Sequence, residues 1–147
     1  MAISKEELKS AILDYLEKNR RMTLATSENN IPWAATVMFA YDHDTNLYFI
    51  SNPQTRKAQH LMNNPRVSVA INHYVNKAGS TMGIQLEGRA EMLDKLKNKK
   101  ELDLYRARHE WADDYLHDHD LYKIVPSKIY YLDDEKFGPQ GREELEL

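Results

Sequence analysis

A mainly β domain, a six-stranded antiparallel barrel with helices at its periphery, is the fold class that the sequence predicts. Six short segments rich in aromatic and β-branched residues follow one another, several through short turns. The helical patterns fall before, between and after these segments instead of alternating regularly with them, which argues against a parallel sheet. The 147 residues suffice for one buried core and are too few for two independent catalytic units, so residues 1–147 are read as a single domain.

Ser4 and Glu7 stand at capping-box spacing, and Leu8, Ala11, Ile12, Tyr15 and Leu16 recur at helical intervals. This predicts an amphipathic helix over 4–19. MTLATS from Met22 and WAATVMFAY up to Tyr41 read as two antiparallel strands, with Ile31-Pro32 as their turn. DHDTN is turn chemistry, and LYFIS, ending at Ser51, is a third strand. Asn52-Pro53 suits the cap and first position of a helix that runs to about Asn63, where Pro65 stops it. Val67, Val69 and Ile71 alternate with Arg66, Ser68, Ala70 and Asn72, the period of a half-buried strand. Met82 to Met92 alternates in the same way over a longer stretch, with Gly88 marking a bulge or bend. Asp94 to about Tyr115 is charged, with apolar residues at loose helical spacing, and predicts one or two helices over a barrel end. Pro126 precedes SKIYYLDD, the sixth strand, and the tail KFGPQGREELEL reads as a surface extension.

Composition excludes several functions. With 41% hydrophobic residues and nine tyrosines the chain is not disordered, and no apolar run approaches the roughly 20 residues of a membrane-spanning helix. The N-terminal segment interleaves charged and apolar residues, unlike a secretion signal, so a cytoplasmic location is expected. The absence of cysteine removes disulfides and thiolate chemistry. A net charge of -3 with dispersed Lys and Arg offers no broad basic face for nucleic acid.

The stretch from Leu47 to Val69, LYFISNPQTRKAQHLMNNPRVSV, carries the most chemistry. It sets Ser51, Asn52, Thr55, Arg56 and Lys57 at a strand end and the first turn of a helix, where free amides and the helix dipole favour an anion. Arg offers a planar fork and Lys a compact charge, a pair suited to a phosphate dianion. By composition alone, the same triplet reads more readily as a solvated helix start.

This stretch resembles the pyridoxamine 5'-phosphate oxidase-like, FMN-binding split-barrel superfamily. The shared pieces are a strand ending in a small hydroxyl residue, Thr-Arg-Lys, an apolar helix, Asn-Pro-Arg and a further strand. LATSENNIPWAATVMFAYD resembles the opening hairpin of that family, and GIQLEGRAEML its long strand with an interior glycine, so the likeness covers roughly 20–134. It implies a split barrel, FMN as cofactor, and Arg56 and Lys57 on the FMN phosphate with Ser51 and Thr55 donating to it. It also implies that Thr36, Val37 and Met38 lie along the flavin ring, and that a homodimer builds each site at its interface, with Trp111 and Gln85 of a second copy as candidates to complete it. The implied activity is that of an FMN-dependent oxidoreductase taking electrons from NAD(P)H or a small organic donor. A flavin-binding or stress- and redox-sensing module without turnover, and a haem or deazaflavin binder on the same barrel, stand as alternatives.

Ala34 and Ala35 occupy a region where the oxidase proper carries a basic residue, and the acidic tail GREELEL lacks its Arg-containing segment, so vitamin B6 oxidation is not expected. The closer resemblance is to the short, general-stress-protein-like members. No catalytic side chain is assigned, since the flavin itself performs the redox step in such enzymes. His117-Asp118-His119-Asp120 has metal-ligand residue types but no third ligand at a diagnostic distance, and reads as a solvated loop. His73, at a strand end, reads as a packed or interface residue.

Overall fold

In the computed structural model, which describes residues 3–147, one antiparallel sheet curls on itself and helices cover its open parts. Helix α1 (Lys5–Lys18) begins at Ser4, whose Oγ accepts from the Glu7 amide at 3.1 Å. Its stripe of Leu8, Ile12, Tyr15 and Leu16 is buried in the barrel core. Strands β1 (Arg21–Glu28) and β2 (Ile31–Met38) form a hairpin. The hairpin turns at Asn29-Asn30 and not at Ile31-Pro32 as the sequence suggests. Both asparagines hold left-handed φ values of 50° and 63°, the geometry of a two-residue turn that matches strand twist. Ile31 and Pro32 are thereby released to start β2.

The expected second strand, 33–41, divides at Phe39 into β2 and the short β3 (Ala40–Tyr41). The division closes the sheet. Along the order β2, β1, β5 (Arg66–Asn72), β6 (Met82–Leu93), β7 (Asp120–Asp133), β4 (Leu47–Ser51) and β3, the first and last members are one continuous stretch of chain, paired with β1 before Phe39 and with β4 after it. Strand β4 (Leu47–Ser51) is buried throughout because both its faces are covered. Leu47 and Phe49 point into the main core, where Phe49 stacks on Tyr122 at 4.9 Å, while Tyr48 and Ile50 join a second cluster under Tyr105. A continuous apolar run is the mark of such a doubly covered strand.

Helix α2 (Arg56–Asn63) is capped by Thr55 and not by Asn52. Asn52 instead closes the preceding turn, its Oδ1 accepting from the Gln54 amide at 2.9 Å, and the helix starts one turn later than expected. Strands β5 (Arg66–Asn72) and β6 (Met82–Leu93) alternate as anticipated, and the register shifts at Glu87/Gly88. Only glycine fits at 88: a Cβ there would stand 2.4 Å from the Val125 carbonyl oxygen.

The charged segment that follows yields α3 (Lys99–Arg108) and a single 3-10 stretch, Glu110–Asp114. Strand β7 (Asp120–Asp133) is longer than the sixth strand expected after Pro126. Pro126 lies inside it, opposite the bulge at Gly88, where a missing amide is tolerated. After helix α4 (Asp134–Phe137), the tail forms strand β8 (Arg142–Leu145) on β7 and inserts Leu145, 2% exposed, into the core, so it is not a surface extension. Among the described residues, hydrogen bonding thus defines eight strands where six were expected, the additions being the division at Phe39 and the folded-back tail. Among the described residues no helix is long and apolar enough to cross a membrane.

Candidate functional site

Strand β4 ends at Ser51 and the chain turns directly into α2, with β2 lying against both elements. The turn is built from hydroxyls. Ser51, almost fully buried, shares a 2.9 Å hydrogen bond with Thr55 Oγ1, and Thr55 donates to the Asn52 carbonyl at 2.8 Å. Thr55 also accepts from the Ala58 amide at 3.4 Å, a long capping bond. The amides of Arg56 and Lys57, at the first two helical positions, make no hydrogen bond among the described residues. They are free to meet an anion.

The two cations differ in setting. Arg56 is exposed and lies over the Trp33 ring, 4.3 Å from guanidinium carbon to ring centroid. This holds its planar fork beside the turn without using its donors. Lys57 is half-buried, and neither cation has a carboxylate within ion-pair distance among the described residues. Burial lowers the Lys57 pKa from its ordinary value. A partly desolvated ammonium without a counterion is where a dianion gains most. Two open amides and two unpaired cations therefore fit the phosphate of a phosphomonoester cofactor, whereas the Ser51 and Thr55 protons are spent within the turn, on Thr55 and on the Asn52 carbonyl, so the expected donation from these hydroxyls is not open in this geometry.

Thr36, Val37 and Met38 adjoin this turn on β2. Thr36 is exposed, Met38 partly so, and Val37 points into the barrel core. Side chains at 36 and 38 can therefore face a ligand, while Val37 presents only its backbone to it. The backbone here is held from behind by the α3 region. Tyr105 Oη donates to the Met38 carbonyl at 3.3 Å, and His109 Nε2 lies 2.7 Å from the Phe39 carbonyl. A carbonyl only accepts, so His109 carries its proton on Nε2. Burial depresses the His109 pKa and keeps the ring neutral. Arg108, beside it, donates to the Leu16 carbonyl at 2.8 Å and stands 5.0 Å from both the Phe39 and Tyr41 rings.

Sequence reasoning missed Trp33 and the Tyr105–His109 clamp. An aromatic residue on the strand next to Thr-Arg-Lys is a usable signal for the first, but the clamp joins residues 67 and 70 positions apart and leaves no local trace. The residues suggested to reach across from a second copy have neighbours within their own chain. Trp111, partly exposed, packs edge-on to Tyr105 and Tyr115, and Gln85 accepts from Arg142 at 3.3 Å. His73 bonds the Tyr15 hydroxyl at 2.7 Å, and His119 bonds Asp118 at 2.7 Å.

Residues 8–133 match the family described as pyridoxamine 5'-phosphate oxidase. The chain belongs to that family. It is similar to a UPF0306 protein of Pasteurella multocida, 32% identical over 99 residues, covering 67% of this chain and 66% of that relative. Among solved structures it resembles general stress protein 26 of Bacillus anthracis, with a TM-score of 0.67 and 27% identity, covering 95% of this chain and 98% of that one. The expected likeness to short general-stress members of the oxidase family is thus found. A FAD-binding protein from Mesorhizobium loti (TM-score 0.72, 24% identity, 93% of each chain) shares the fold. So does a haem-binding protein from Mycobacterium smegmatis (TM-score 0.77, 17% identity, 98% of this chain and 58% of that one).

Proposed function

We propose that this member of the oxidase family binds FMN and serves as a flavin-dependent oxidoreductase in the cytoplasm. The observation that carries the reading is the half-buried, counterion-free Lys57 beside Arg56 at the open amides of α2. Arg56, held over Trp33, and Lys57 take the phosphate charge, and the bonded Ser51–Thr55 hydroxyl pair shapes the turn that presents the two open amides. Thr36 and Met38 line the ring with side chains, and the backbone of Val37 offers polar groups along the same edge. Tyr105 and His109 keep that edge in place through the Met38 and Phe39 carbonyls. The flavin, when bound, supplies the two-electron chemistry, so the chain needs to bind and orient rather than provide a nucleophile.

The site is proposed to be completed in a homodimer. Ile31 and Trp33, 53% and 41% exposed on β2, leave an apolar face beside it that a second copy can cover.

The test is the visible spectrum of the purified protein, followed by titration with FMN and then with NADH and NADPH. A flavin band with NAD(P)H oxidation above the free-flavin rate supports the reading, and a flavin band without turnover leaves a binding module. Absence of any flavin band and of binding to added FMN overturns it, and a haem spectrum replaces it.

A further inference from the structure

A second basic pocket lies on the outer wall of the barrel. Arg66 on β5 and Arg89 on β6 stand directly opposite each other in the ladder, both exposed. Like charges so placed destabilise a pair of strands. Neither guanidinium has a carboxylate within ion-pair distance among the described residues. The two arginines line a cavity of about 540 Å³ together with Ser27, Ser68 and Ser127.

The hydroxyls are not equivalent. Ser27 Oγ accepts from Asn64 Nδ2 at 3.1 Å, which leaves its own proton available to a ligand. Ser68 makes no side-chain hydrogen bond among the described residues and is free to donate, whereas Ser127 already donates to the Glu87 carbonyl at 3.1 Å. Glu87 is the one acidic residue lining the cavity. It sets a limit on charge: a compact anionic group fits between the arginines, and an extended polyanion would meet the carboxylate.

We propose that this pocket binds a phosphate group, free or on a small organic molecule, through Arg66 and Arg89 with Ser27 and Ser68 donating. It is separate from the turn at Ser51 to Lys57 and does not depend on the function proposed for that turn. Two guanidinium forks that repel each other when empty are drawn together by a shared divalent oxyanion.

The experiment measures thermal midpoints of the full-length protein titrated with inorganic phosphate and with glycerol phosphate, against chloride at matched ionic strength. Wild type and the Arg56→Ala/Lys57→Ala double variant should both be stabilised by phosphate. Introduced into that double variant, Arg66→Gln and Arg89→Gln should each require at least tenfold more phosphate for the same rise. Both replace exposed side chains, and circular dichroism confirms that each variant is folded. In phosphate-free buffer of low ionic strength, Arg89→Gln should melt above wild type because the cross-strand repulsion is gone. A response to glycerol phosphate at lower concentration than to inorganic phosphate assigns the pocket to a phosphorylated organic ligand, and the reverse assigns it to the free ion. The proposal is overturned if phosphate acts no better than chloride, if both glutamine variants respond like their double-variant parent, or if the double variant at α2 abolishes the effect.

Discussion

Strands β2 and β5 are nearly equal in length and lie on either side of β1, yet they are spent differently. β5 alternates strictly between exposed and buried residues, with Val67, Val69 and Ile71 in the core. β2 buries only Val37 and leaves Ile31, Pro32, Trp33, Ala34 and Thr36 exposed. One strand is a wall of the barrel. The other is held on one edge by β1 and turned outward, which costs core burial and leaves a surface for a ligand or a second copy. Burial therefore separates residues that hold the fold from residues available for function, and substitutions in the two groups should have opposite readouts.

The largest effect belongs to the wall. Ile71→Ala, which opens a cavity in the core, should lower stability by about 2–5 kcal/mol in denaturant unfolding, whereas Thr36→Ala should leave stability within about 0.5 kcal/mol. A large stability loss from Thr36→Ala would break the contrast. Next, Arg56→Ala and Lys57→Ala should each weaken FMN binding by about 1.5–3 kcal/mol in a fluorescence titration with little change in melting. Unchanged affinity would place the phosphate elsewhere.

The clamp behind β2 is intermediate. His109→Ala leaves the Phe39 carbonyl unpaired and should cost about 1–3 kcal/mol of stability, while His109→Gln, which can still donate, should recover much of it and restore FMN affinity in parallel. Because the folded His109 pKa is depressed, the unfolded chain binds the extra proton first as pH falls below the ordinary value of 6.5. The His109 contribution should thus be complete above that pH and decline below it, and His109→Gln should flatten this part of a melting-temperature profile. The smallest effect concerns Lys57. Its lowered pKa means that the unliganded site loses this charge at a pH below the ordinary lysine range, so FMN affinity should fall on the alkaline side earlier than for a solvated lysine. Lys57→Arg should remove that decline in an affinity–pH series.

The legible parts of the chain were those whose signal is local. Alternation at Val67, Val69 and Ile71, the stripe from Leu8 to Leu16, and the glycine at 88 each carry their answer within a few neighbours. The errors arose where two local solutions compete or where the partner is distant. Asn52 and Thr55 both have capping chemistry, and only the packing of α2 selects the second. REEL has one apolar residue and reads as polar surface, yet pairing with Tyr130 to Leu132 makes it a strand. Within the site, the Ser51 to Lys57 turn was readable because its residues are consecutive. Trp33 came to Arg56 through the hairpin, and Tyr105 and His109 came to β2 through the closure of the whole barrel, contacts that no short window contains.

Phe39 interrupts the strand at the point where the sheet meets itself. Its amide donates to the Arg20 carbonyl at 3.0 Å and its carbonyl faces His109 at 2.7 Å, so one residue ties the exit of α1 to the exit of α3. Its ring is fully enclosed. The Phe39 amide should therefore exchange with deuterium only through global opening, among the slowest in the molecule, although it sits one residue from a surface meant to admit and release a ligand.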